Sequence, residues 1–277
     1  MAYADSVLIF FAGSCAGSFL NVCIYRLPRG GGLLVPRRSF CPACRVSIRW
    51  PDNIPLFSYL CLGGRCRDCR SAISPVYPLI EIVSGALALL CLARGVGGAA
   101  FIYLLFFYAL LVISAIDLAH RIIPNRILLL LLLLGVAGTL QLEMPPGGIA
   151  LPGLLGGALL LLLVRWLGGI IFRREALGMG DVKLGAVVGF FLGWQSFLLA
   201  LFLGALLGLL SVAFLTCRQS REMPDTIPFA PFLSSGCLLA WCGESVFSFQ
   251  LSVISSQLSV LEWIAPLNAH LPFTINQ

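Results

Sequence analysis

The chain has 277 residues, is 59% hydrophobic and only 11% charged, and carries a formal net charge of +6. A soluble domain is about 45–50% apolar and about 25% charged, so the composition excludes an ordinary soluble fold and predicts an all-α polytopic membrane protein. The positive charge lies in short loops between apolar runs, without a basic stripe or interleaved aromatics, so it does not point to nucleic acid.

The first apolar run, 7–20, has the length of a signal-peptide core, but no Lys or Arg precedes it and the one early charge is Asp5. It is read as a retained transmembrane helix over 6–25, closed by Arg26, Pro28 and Arg29, with the small residues Gly13, Ser14, Ala16, Gly17 and Ser18 suited to close helix packing. A polar region follows over 29–75, rich in arginine. A second helix follows Pro78 and carries Glu81 near its start; a third spans 99–116, with Asp117 at its far end. A leucine-rich helix covers 127–140 and another covers 149–171, with Arg165 near its end. A sixth helix starts at Asp181 and stops near Gly193, a seventh covers 196–216, and an eighth follows Pro228 and Pro231.

The count is about eight spans, the sixth of them short. If the polar region is cytoplasmic, the loops holding Arg121 and Arg126, Arg173, Arg174 and Lys183, and Arg218 and Arg221 also fall inside, leaving Arg94 outside. Both termini then lie outside. The expected divisions are a first helix over 1–28, a loop domain over 29–75, a membrane core over 76–250 and a dispensable tail over 251–277, where the QLSV stretch at 250–253 recurs at 257–260.

Two CxxC knuckles lie in the polar region: Cys41 and Cys44, then Cys66 and Cys69. Four thiolates in this spacing suit one tetrahedral zinc, and a closed four-sulfur site has a structural role. A loop too short for a large core needs such a staple. A redox dithiol and a pair of disulfides are the rival readings, and a cytoplasmic location disfavours the second.

The sequence 178–181 reads Gly178-Met179-Gly180-Asp181 and stands where a charged loop meets an apolar run. The third helix travels inward to Asp117 and the sixth travels outward from Asp181, so helix counting puts both acids on the inner side at similar depth. Two carboxylates in one partly dry pocket share a proton, and such a pair hydrolyses amides by general acid and base action. The alternatives remain that Asp181 caps its helix, that Asp117 neutralises Arg121, or that the acids carry protons or cations. Glu81 is placed either in the same pocket or in a pair with a loop arginine. His120 and His270 have no triad partners.

The motifs together resemble the prepilin leader peptidase family. The resemblance rests on 17–28 (GSFLNVCIYRLP), the knuckles with 48–59 (IRWPDNIPLFSY) between them, 73–81 (ISPVYPLIE), Asp117 with Ile123 and Pro124, the Gly178–Asp181 motif, and Ile227-Pro228-Phe229-Ala230-Pro231. It implies a multi-pass enzyme of the bacterial inner membrane that cleaves the leader of type IV prepilins or type II secretion pseudopilins on the cytoplasmic side. It further implies that Asp117 and Asp181 are the protease aspartates, that the core over 76–250 is the peptidase, and that Cys41, Cys44, Cys66 and Cys69 bind Zn²⁺. The same resemblance implies methylation of the new N-terminal amine with S-adenosylmethionine as donor. No soluble-type glycine-rich loop marks a donor pocket. The chain departs from the family at Asn125, where Asp is common, and at Ala230, where Gly is common. The reading of another class is a non-enzymatic zinc-bearing membrane scaffold of an assembly machine.

Overall fold

A computed structural model describes residues 3–30, 39–95, 97–142, 150–173, 177–218 and 227–243. The tail at 250–277, with His270, and the loop residues Arg37, Arg38, Arg174, Glu175 and Arg221 lie outside the described residues.

The described chain is almost entirely helical: α1 (Tyr3–Arg26), a short α2 (Phe57–Cys61), α3 (Val76–Ala93), α4 (Gly98–His120), α5 (Asn125–Leu142), α6 (Ala150–Phe172) and α7 (Met179–Arg218). An eighth, α8, covers Ala230–Gly243. Six of these helices are long and apolar enough to cross a membrane, and α8 is shorter. α7 has 40 residues. At 1.5 Å per residue it would reach about 60 Å, roughly twice the hydrocarbon thickness. It is interrupted at Gly193, whose φ of 76° and ψ of 170° are non-helical. The sequence expects two helices separated near this glycine. The structure keeps them in one run with a break, which a residue lacking Cβ permits.

In lipid, helices associate through close packing rather than through hydrophobic transfer, so small residues decide who touches whom. On α6 and α7, Gly153 faces Gly189 and Gly157 faces Gly185, so closely that a Cβ on any of them would meet the opposite backbone or side chain. On α1 and α3, a Cβ on Gly13 would fall 2.6 Å from Ala88 and one on Gly17 would fall 2.8 Å from the Cα of Glu81. The same logic joins α7 to α8, where Gly204 and Gly236 meet. α4 fills the centre. Its Phe106 and Ile113 are fully buried, and Phe106 stacks on Phe191 of α7 with ring centroids 4.4 Å apart.

α8 is held at both ends. At its C-terminus Arg94 donates to the carbonyls of Trp241 and Cys242 and lies 4.3 Å over the Trp241 ring. These are the carbonyls that a helix end leaves without partners, and a cation there also complements the helix dipole. Its N-terminus meets Asp117.

Candidate active site and cysteine cluster

α4 ends because Arg121 adopts the left-handed conformation (φ 55°, ψ 38°) and returns its N–H to the Asp117 carbonyl at 2.9 Å, an αL cap. Asp117 therefore sits in the last turn of α4, only 6% exposed. Its Oδ2 accepts the backbone N–H of Ala230 at 3.0 Å. Pro228 and Pro231 have no N–H, and the Ala230 N–H between them is the donor at the start of α8. The sequence reading missed this contact, although two prolines bracketing two free donors before an apolar run are its signal. The expected Asp117–Arg121 neutralisation does not appear as an ion pair; among the described residues the ion pairs are Arg49–Asp68 and Arg67–Asp52.

Asp181 lies in the first turn of α7, which starts at Met179 rather than at Asp181 as the sequence predicts. Its Oδ2 accepts the Gly178 N–H at 3.1 Å. This is the backward half of a capping box, so Asp181 acts from inside the helix and not from the N-cap position. The Asp117 carboxylate lies within electrostatic reach of Asp181.

Two contacts across the loops bring α7 to the end of α4. A Cβ on Gly180 would come 3.1 Å from the Ile123 Cβ, so this glycine lets the α7 N-terminus settle on the turn that follows Asp117. Lys183 Nζ donates to Asn125 Oδ1 at 3.1 Å. The Asn125 departure thus keeps an acceptor at that position without a charge. On the α6 side, Arg165 donates to the Leu177 carbonyl just ahead of the motif. His120 is exposed at the end of α4.

Each knuckle is a small hairpin of the same design. Cys41 N–H bonds the Val46 carbonyl and Arg45 N–H bonds the Cys41 carbonyl; Cys66 N–H bonds the Ser71 carbonyl and Arg70 N–H bonds the Cys66 carbonyl. Arg45 and Arg70 take matching left-handed conformations, with φ 59° and 58°. One antiparallel bridge closes each hairpin, Phe40 with Ser47 and Arg65 with Ala72. Asp52 clamps the second knuckle through a two-pronged pair with Arg67, at 2.8 and 2.6 Å.

The four Sγ atoms of Cys41, Cys44, Cys66 and Cys69 lie within 4.8 Å of one another, and all four cysteines are free thiols. A tetrahedron with metal–sulfur bonds of about 2.3 Å has sulfur–sulfur edges of about 3.8 Å. The Cys41–Cys69 separation is 3.9 Å. Thiol acidity in the cluster is split. Cys41 is lowered to about 6, first by the Cys44 backbone N–H and then by Ala43 N–H and the Ser71 hydroxyl. Cys69 is lowered by the Ser71 hydroxyl and backbone. Cys44 is pushed up to about 11: the Val46 N–H favours its thiolate, but burial and the neighbouring Cys41 and Cys69 outweigh it. Negative charge therefore crowds among four sulfurs, and a cation at their centre relieves it. The residues fit a metal of the tetrahedral thiolate class.

Glu81 lines a cavity without the two aspartates, and among the described residues it makes no ion pair with an arginine. It is 9% exposed, and its Oε2 accepts the Leu56 N–H at 2.8 Å. It lines a cavity of about 420 Å³ between α1, α3 and the knuckles, whose walls include neither Asp117 nor Asp181.

Two family models match the chain: the bacterial peptidase A24 N-terminal domain over residues 11–94 and the type IV leader peptidase family over residues 104–213. The first holds the knuckles and Glu81, the second both aspartates. A Klebsiella pneumoniae prepilin leader peptidase/N-methyltransferase is 41% identical over 200 residues, covering 68% of this chain and 85% of the relative. The Aeromonas salmonicida protein of the same name is 34% identical over 276 residues, covering 89% and 94%. An Escherichia coli type 4 prepilin-like proteins leader peptide-processing enzyme is 36% identical over 252 residues, covering 84% and 92%. No solved structure matches the chain significantly. The chain belongs to the type IV leader peptidase family, and is a multi-pass membrane peptidase of the aspartic type with N-methyltransferase activity.

Proposed function

We propose that Asp117 and Asp181 are the catalytic pair, and that the protein cleaves the leader from type IV prepilins or type II secretion pseudopilins at the inner face of the bacterial inner membrane. The observation that carries this reading is the convergence of the two acids. They belong to separate helices, and the Gly180–Ile123 contact and the Lys183–Asn125 bond hold those helix ends together. In the reading, one carboxylate is ionised and takes a proton from water. The other is protonated, polarises the scissile carbonyl and later protonates the departing amine. The pair works as a unit with one shared proton. The Ala230 N–H on Asp117 and the Gly178 N–H on Asp181 each engage one oxygen and orient the carboxyl.

In the same reading α7 crosses twice around Gly193 and α8 crosses once, for about eight spans. The knuckle loops, Asp117 and Asp181 face the cytoplasm, where the arginine-bearing loops collect. The core over 76–250 is the peptidase unit, and the loop domain over 29–75 is held by a structural Zn²⁺ on Cys41, Cys44, Cys66 and Cys69. S-adenosylmethionine supplies the methyl group for the new N-terminal amine.

The test is cleavage of a prepilin in detergent by the wild type, Asp117→Ala and Asp181→Ala. Loss of cleavage in both variants is expected, and unchanged cleavage by either one removes the pair. Adding S-adenosylmethionine and weighing the product tests methylation separately.

A further inference from the structure

We infer that the cavity beneath the cysteine knuckles is the methyl-transfer site, and that Glu81 receives the new amino group of the cleaved pilin there. The inference rests on the proposed use of S-adenosylmethionine and goes on to locate its chemistry. The cavity is about 420 Å³, within the range of about 300–1,000 Å³ typical of small-molecule sites. Its walls carry four aromatic rings, Tyr25, Phe40, Tyr59 and Tyr77.

Two of its carboxylates are already paired: Asp52 with Arg67 and Asp68 with Arg49. Glu81 is different. It is buried, it accepts the Leu56 N–H, and among the described residues no cationic side chain pairs with it. A buried carboxylate without a counter-charge is costly. One that lines an aromatic-walled cavity is offset by a cation entering from outside, because ring faces also attract cations; of the four rings here, Tyr25 already has Arg29 over it, which leaves Phe40, Tyr59 and Tyr77.

The methylation reaction brings two cations, the donor sulfonium and the acceptor ammonium. Their order follows from where the groups stand. Glu81 belongs to α3, a membrane-length helix, and α1 packs so closely there that a Cβ on Gly17 would touch its backbone. The acceptor amine sits at the end of an apolar pilin helix and reaches Glu81 from the membrane side. The knuckles form the polar cap and admit the donor. Glu81 takes a proton from the ammonium. The freed nitrogen lone pair forms a bond to the sulfonium methyl carbon, the C–S bond breaks, and its electron pair stays on sulfur. The products are an N-methylammonium, S-adenosylhomocysteine and a proton that Glu81 passes to water.

The experiment uses the full-length protein in detergent and a pilin peptide already lacking its leader, so it does not depend on cleavage. Glu81→Gln is expected to slow methyl transfer to this peptide about 100-fold or more, the usual scale for a lost general base. Binding of the peptide, measured without donor by fluorescence anisotropy, weakens as well, while calorimetric binding of S-adenosylhomocysteine is retained. The deficit shrinks as the pH passes about 8, where an α-amino group loses its proton unaided; a merely structural loss would not recover. Glu81→Asp, which keeps the carboxylate, restores part of the rate. Tyr59→Ala weakens S-adenosylhomocysteine binding. Wild-type methyl transfer or unchanged peptide binding in Glu81→Gln overturns the assignment of Glu81, and unaltered binding in Tyr59→Ala overturns the cavity. A wild-type protein that does not methylate the peptide removes the donor reading and this one with it, and leaves the peptidase reading standing.

Discussion

The backbone N–H of Ala230 donates to Asp117 Oδ2 at 3.0 Å across 113 residues of chain. The bond ties the start of α8 to the last turn of α4. It also aims a helix N-terminus at a buried carboxylate, which favours negative charge there.

Ala230→Pro removes that donor, while Ala230→Gly keeps it. Leaving a buried acceptor short of a bond costs about 1–3 kcal/mol. Ala230→Pro is therefore expected to lower both thermal stability in detergent and the rate of prepilin cleavage, and Ala230→Gly to leave both near wild type. Equal behaviour of the two variants would show that the N–H does not matter.

Gly180 is where α7 rests on the loop after Asp117. A Cβ there comes 3.1 Å from Ile123, and a larger side chain must push the loop away. Gly180→Val is expected to destabilise by about 1–3 kcal/mol, the scale of overpacking, and to reduce cleavage by separating the acids. Trimming the neighbour in Gly180→Val/Ile123→Ala should recover part of both losses. A double-mutant cycle on melting temperature and cleavage rate reads the coupling.

α6 and the first half of α7 touch backbone to backbone at Gly153 and Gly189. Gly189→Leu cannot be accommodated without separating the two helices. Its melting temperature in detergent should fall clearly. Gly243→Leu, where no atom of the described residues lies within 4 Å of an added Cβ, should change it little.

Metal affinity of the cysteine cluster should depend on pH in two regimes. Cys41 is lowered to about 6 and Cys44 is pushed up to about 11. Between these values a metal displaces a proton from Cys44 but finds Cys41 already a thiolate. Below about 6 it must displace a proton from Cys41 as well, because binding requires thiolates. Affinity therefore falls with falling pH throughout, and more steeply below about 6. The same sign holds for folding: a lowered thiol favours the folded loop at high pH, and that contribution is lost as the pH drops through the folded value. Chelator competition from pH 5 to 8 measures the change of slope.

Some of this was legible in the residues alone. The membrane character followed from composition, since no arrangement of so many apolar side chains suits a soluble domain of this size. The cysteine cluster was legible because each knuckle carries its two ligands within one tight hairpin, so local spacing implies local geometry. The break near Gly193 was legible, and so were the helix ends that carry Asp117 and Asp181. What the tertiary structure alone decided is which polar groups meet: Ala230 with Asp117, Asn125 with Lys183, Leu56 with Glu81. It also corrected the start of α7 and put Glu81 in a cavity that neither acid lines. The physical reason lies in the solvent. In a bilayer the buried and lipid-facing sides of a helix are equally apolar, so hydropathy does not mark the contact face. Partners are chosen by backbone approach at small residues, and that approach exists only once the helices have packed.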